Sequence, residues 1–86
     1  MAVNARIWRP IDYAIRQIVI TDIAESGLSN SKIARTTERT EGWIRRIKAG
    51  TSAPLTVGEV EAIARVCGTT LADVLAQASE MVADSS

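Results

Sequence analysis

Apolar residues recur along this chain at the three- and four-residue steps of helices, and no stretch of useful length shows the two-residue alternation of a strand. Ile11, Ile15, Val19 and Ile23, with Ala14 and Ile18 beside them, predict a helix over about 10–25. Pro10 suits its first position, where the missing N–H is no loss, and Gly27 is its stop. Ile20 lies off that stripe and hints at a second contact surface. Ser29 and Thr40 are natural N-caps for two short segments, about 30–36 with Ile33 and Ala34 apolar, and about 41–48 with Ile44 and Ile47 apolar. Gly50 ends the second of these. Thr51-Ser52-Ala53-Pro54 reads as a loop, and Thr56 to Glu59 has the spacing of a capping box. A fourth helix over about 57–67 follows, with Val57, Val60, Ile63, Ala64 and Cys67 on one side and Glu59, Glu61 and Arg65 on the other. After Gly68, the residues Leu71, Val74, Leu75, Ala78, Met81 and Val82 predict a fifth helix over about 71–83. Residues 1–9 read as an N-terminal arm, 10–83 as one all-α domain, and 84–86 as a frayed tail.

Composition narrows what such a bundle can do. The 86 residues suffice for one small helical core and leave little room for a deep catalytic cleft. Phe is absent and the aromatics are Trp8, Tyr13 and Trp43, so the core should be aliphatic. There is no His, and Cys67 is the single cysteine, which removes the usual general base, an internal disulfide and a cysteine metal cluster. Glu59 and Glu61 stand two apart and share no helix face, so they form no acid/base pair. No enzyme activity, cofactor, metal or small-molecule ligand is expected, and Cys67 is read as a core residue rather than a reactive thiol. No apolar run approaches the roughly 20 residues of a membrane span, and no signal-peptide pattern is present, so the expected location is cytoplasmic with no membrane partner.

Charge changes the picture more than composition does. The formal net charge is zero, which counts at first against a nucleic-acid partner. Yet Lys32, Arg35, Arg39, Arg45, Arg46 and Lys48 face only Glu38 and Glu41 within residues 32–48, whereas Glu59, Glu61, Asp73, Glu80 and Asp84 face only Arg65 beyond residue 58. The basic stretch coincides with the two short helices. A DNA reader needs a helix that fits the major groove, donors and acceptors on its leading face, and cations for phosphates. Glu41 could accept from cytosine N4, Gly42 lets the backbone come close, and Arg46 could make the bidentate contact with guanine O6 and N7. Arg45 and Lys48 suit phosphates or a flanking base. The alternative for the same residues is a solvated basic helix face.

Gly27-Leu28-Ser29, Lys32-Ile33-Ala34, Ile44, Ile47, Gly50, Pro54, Ile63-Ala64, Gly68 and Leu71 to Leu75 resemble the Cro/CI-type (XRE family) helix-turn-helix domain, ungapped from about Gly27 to Leu75. The resemblance implies a compact five-helix, lambda-repressor-like bundle in which the second and third helices form the motif and homodimers read palindromic operators. It implies that Asn30 touches phosphate, that Thr40, Glu41, Gly42 and Arg46 hold the main base-reading positions, and that Arg45, Thr51 and Ser52 contact DNA. The chain departs from the family pattern at Thr37, usually leucine, at Glu38, usually glycine, and at Arg39, usually apolar. The turn is therefore expected to sit slightly differently, with Arg39 directed outward to phosphate and its aliphatic stem covering the gap. The first-helix stripe is offset by about one residue, so the loop before Ser29 is expected to differ as well.

Trp43 stands where the family has a small polar residue. It either stacks over a sugar or touches a thymine methyl, or it packs on the second helix or against the arm near Trp8. The apolar stripe of Leu71, Val74, Leu75, Ala78, Met81 and Val82 either covers the chain's own core or seals a homodimer. The second is favoured because Met81 and Val82 lie beyond the reach of a small core. The function expected is a sequence-specific, double-stranded DNA-binding transcriptional regulator, a phage or bacterial repressor. The competing readings are a protein-interaction adaptor of antitoxin-like kind and the DNA-binding part of a larger repressor.

Overall fold

A computed structural model describes residues 7–84, which form five helices: α1 (Pro10–Ser26), α2 (Asn30–Thr37), α3 (Glu41–Ala49), α4 (Val57–Val66) and α5 (Leu71–Asp84). Each start carries a local reason. At α1 the backbone N–H of Arg9 donates to Asp12 Oδ2 at 2.9 Å, with Pro10 as the first helical residue. The hydroxyls of Ser29, Thr40 and Thr70 accept from the N–H groups of Lys32, Trp43 and Asp73, each at 3.1 Å. Thr56 and Glu59 close a reciprocal box, Glu59 N–H to Thr56 Oγ1 at 3.1 Å and Thr56 N–H to Glu59 Oε1 at 2.8 Å. The ends are as local. Gly27 and Gly50 close α1 and α3 in the left-handed conformation, and Glu38 does the same for α2 with φ 59°. Glu38 thus takes the place glycine would have in the turn, at a cost on the order of 1 kcal/mol, and Arg39 N–H donates to Ala34 O at 2.8 Å to close it. Thr37, in place of an apolar side chain, satisfies its hydroxyl on Ile33 O at 2.8 Å.

The core is aliphatic. Ile18, Val19, Ile23, Ile33, Ile44, Ile47, Val60, Ile63 and Val74 are buried, with Ala14, Ala34, Ala64 and Ala78 allowing close helix approach. α5 packs chiefly along α1, α2 lies against α3 and α4, and α3 also touches α1. No helix among the described residues is long and apolar enough to cross a membrane.

Several sequence expectations need correction. On α1 the fully buried line runs through Ala14, Ile18, Val19 and Ile23, while Ile11, Ile15 and the off-stripe Ile20 are half-buried against it. The small Ala14 faces inward where helices come close, which turns the stripe by about a residue. Val57 is 65% exposed, being the first residue of α4, ahead of the part its neighbours cover. Cys67 caps α4 rather than continuing it, and is half-buried. Burial pushes its thiol up, helped by the charge of Asp22 and against the lowering effect of a hydrogen bond with Ser26. Asp84 is the last residue of α5 rather than the start of a frayed tail; residues 1–6 of the arm and 85–86 of the tail lie outside the described residues.

The reading of α5 as a subunit seam also changes. Val74 and Ala78 have no exposed surface in the single chain, and Leu71 and Val82 pack on the same core. Val82 is within reach because α1 is itself 17 residues long and runs beside α5. Of the six residues assigned to a dimer interface, Val74 and Ala78 are taken up by the core, while Met81 at 42% exposure and the half-buried Leu71, Leu75 and Val82 keep surface for a second molecule. Met81 lies beside Pro10, Tyr13, Ala14, Gln17 and Val82 around a shallow groove.

Candidate nucleic-acid interface

The exposed side of α3 follows from how its other side is fixed. Ile44 and Ile47 are wholly buried, so the 100° step of the helix turns Glu41, Arg45, Arg46 and Lys48 outward. Thr40 is exposed at the N-cap, with Gly42 half-buried next to it. Arg46 lies back over the helix N-terminal turn: a Cβ placed on Gly42 would stand 3.4 Å from Arg46 Nη1 and 3.8 Å from Thr40 Oγ1. Thr40, Gly42 and Arg46 therefore share one edge. Among the described residues Arg46 has no ion-pair partner, whereas Arg45 meets Glu41 at 3.4 Å in an exposed pair four residues apart. Such a pair in water contributes little and is easily exchanged for another anion.

Asn30 and Lys48, assigned separately to phosphate, come together: Lys48 Nζ donates to Asn30 Oδ1 at 2.6 Å. The first residue of α2 and the last turn of α3 thus present an ammonium and an amide side by side. Lys32 and Arg35, on α2, are exposed nearby in sequence and add to the basic surface. Thr51 is exposed in the loop after α3. The Ser52 hydroxyl, expected to contact DNA, is instead buried, with no hydrogen-bond partner among the described residues, and so is not presented at the surface.

Arg39 is half-exposed, as the turn required, but its guanidinium is committed. Nη2 lies 2.8 Å from Glu59 Oε2, and Cζ lies 4.8 Å from the centre of the Trp43 ring. Trp43 is half-buried against the core, in a recess lined by Thr37, Arg39, Thr56, Gly58, Glu59 and Ala62. It does not approach Trp8. That ring stacks on Tyr13 at 4.8 Å, and Arg16 lies 5.2 Å from its centre.

Arg16 was not singled out by the sequence. Its guanidinium packs on the cap of α3, where a Cβ on Gly50 would meet Nη1 at 2.7 Å. Gly50 suits the site through its φ of 77°, and a side chain there would also have to push the tip of Arg16 aside. The polar position of Arg16 on α1 carried no signal of this, because the partner is 34 residues away.

A family model described as Helix-turn-helix domain matches residues 23–77, a span that runs from the last turn of α1 into α5 and contains all of α2, α3 and α4. No curated protein and no solved structure matches the chain significantly.

Proposed function

Since the chain belongs to the helix-turn-helix domain family, we propose that it is a sequence-specific transcriptional regulator of the Cro/CI type, which enters the major groove of double-stranded DNA with α3. It acts without catalysis, in the cytoplasm, as a homodimer on a palindromic operator, and represses by occluding a promoter. A phage or bacterial repressor is the reading that fits these parts. The observation that carries it is the edge formed by Thr40, Gly42 and Arg46, where an exposed guanidinium with no ion-pair partner among the described residues stands beside the N-terminal turn of a helix whose opposite face is held by Ile44 and Ile47. Arg46 supplies the fork that matches guanine O6 and N7. Lys48, Asn30, Arg45 and Thr51 supply sequence-independent contacts to the backbone.

The test is selection of bound duplexes from a random pool, followed by salt titration of the winner. A palindrome in the output supports the dimer as well as the docking. Absence of any duplex binding at 50 mM salt would sink the proposal.

A second reading, a protein-interaction adaptor on the same fold, is favoured by the groove between α1 and α5, where Tyr13 is 50% and Met81 42% exposed. Weak salt dependence and a protein partner would select it.

A further inference from the structure

The sequence counts Arg39 among the cations available to phosphate, yet the fold places it in a chain of three contacts that crosses the turn. Glu59 uses both carboxylate oxygens: Oε1 accepts from Thr56 N–H at 2.8 Å to cap α4, and Oε2 holds Arg39 Nη2 at 2.8 Å. Arg39 in turn lies over the Trp43 ring at 4.8 Å. The Glu59 side chain is 16% exposed and that of Arg39 46%, so the anion is the better shielded partner and is fixed by the cap from behind. A guanidinium held this way is neutralised, pre-oriented and stacked. A phosphate would have to compete with a carboxylate that cannot move without breaking its half of the α4 capping box.

From this geometry we propose that Arg39 is a positioning residue for Trp43, and that Glu59 withholds its charge from the DNA backbone. The proposal rests on the DNA-binding reading for its second half only. Trp43 is one residue past Gly42 and three before Arg46, so the angle at which its ring leaves the recess sets how closely the reading edge of α3 can approach a groove wall. Glu59 on α4 thereby influences recognition without touching DNA. It does so by lowering the number of phosphate contacts and by fixing an aromatic at the boundary. The cost is affinity on every sequence, and the gain is discrimination between sequences.

The test uses the full chain in a Trp8→Phe background, where Trp43 is the sole tryptophan. Glu59→Gln preserves the cap, because its amide oxygen still accepts from Thr56 N–H, and removes the charge that holds Arg39. In the free protein, Glu59→Gln and Arg39→Gln should both shift Trp43 emission to longer wavelength and raise its quenching by acrylamide, with far-UV circular dichroism unchanged. On a random-sequence duplex, Glu59→Gln should bind more tightly, with a salt slope steeper by about 0.9 per subunit as Arg39 becomes available. Arg39→Gln should leave that slope at the parent value. If Arg39→Gln instead flattens the slope by about 0.9 per subunit, Arg39 holds phosphate and the proposal is overturned. Unchanged Trp43 emission in both variants overturns the positioning role, whatever the DNA results. If the parent binds no duplex while the emission shifts occur, the DNA reading fails and the positioning of Trp43 stands. Should Glu59→Gln fail to fold, Arg39→Gln leaves the α4 cap intact and decides the question through emission and slope.

Discussion

Lys48 Nζ donates to Asn30 Oδ1 at 2.6 Å, joining the last turn of α3 to the first residue of α2 across 18 residues of sequence. Both side chains reach solvent, so the bond is worth under about 1 kcal/mol to the fold; its meaning lies in what it presents. The ammonium is held beside the side-chain amide of the first residue of α2, a pair suited to a phosphate oxygen.

Lys48→Ala should therefore weaken binding to operator and random duplex by the same factor, and reduce the salt slope by about 0.9 per subunit. Asn30→Ala should weaken both by a smaller common factor and leave the slope unaltered. Fluorescence titrations at several salt concentrations check this. A loss confined to the operator would move Lys48 from phosphate to a base.

Arg46 makes the opposite prediction. Lacking an ion-pair partner among the described residues and lying over Gly42, it is placed for a base edge. Arg46→Ala should cost about 1–3 kcal/mol on the selected operator, and much less on random duplex, because a lost bidentate contact removes discrimination rather than attraction. Equal losses on all sequences would reassign Arg46 to the backbone.

How much of this was legible before the fold was known depends on sequence distance. The helices were readable because Pro10, Ser29, Thr40, Thr56 and Thr70 start them, and Gly27, Gly50 and Gly68 stand at or just past three of the ends, all through contacts within four or five residues. The outward set on α3 was readable because Ile44 and Ile47 fix the inward one. The pairs Lys48–Asn30 and Arg39–Glu59, 18 and 20 residues apart, left no periodic trace, since they depend on how α2, α3 and α4 pack. The same reason hid Arg16 on Gly50. For α1 the pattern had too many apolar residues to choose between Ile15 and Ala14, and only the small residue's fit against neighbouring helices decided it.

The turn gives a stability prediction. Glu38 holds φ at 59°, a conformation that an L side chain adopts at a cost of roughly 1–2 kcal/mol and glycine adopts freely. Part of that gain is offset because glycine also loosens the unfolded chain, by about 0.4–1 kcal/mol. Glu38→Gly should therefore raise the melting temperature by a few degrees, a net gain of about 0.5–1 kcal/mol corresponding to roughly 2–8 °C in a domain of this size. A lower melting temperature would mean that the Glu38 side chain makes a compensating contact in solution.

Asp22 predicts a pH effect. Burial, reinforced by the neighbouring charge of Glu25, raises its carboxyl above the ordinary 3.8. A carboxyl whose folded value lies above its unfolded value disfavours the fold when ionised. That penalty is complete above the folded value and disappears as pH falls through it towards 3.8. Asp22→Asn should therefore raise the melting temperature at pH 7, and the advantage over the parent should shrink as pH is lowered through that window. An advantage constant with pH would trace the effect to packing rather than to charge.

The homodimer of the proposed function predicts a specific surface. Val74 and Ala78 are consumed by the chain's own core, so a second copy must use side chains that keep surface, and Leu75 and Met81 on α5 with Tyr13 on α1 are placed for it. Substituting Leu75→Asp together with Met81→Asp adds charge at this surface, where burial in a dimer would leave each carboxylate unpaired, while Val74 and Ala78 stay in place to hold α5 on α1. Light scattering should give twice the chain mass for the parent and the single mass for the double variant, with far-UV circular dichroism unchanged. Because a half-site bound by one chain loses the linked second contact, operator affinity should fall steeply while the Arg46-dependent preference for one half-site persists. A parent that scatters as a single chain at micromolar concentration, or a double variant that stays at twice the mass, would remove α5 from the interface.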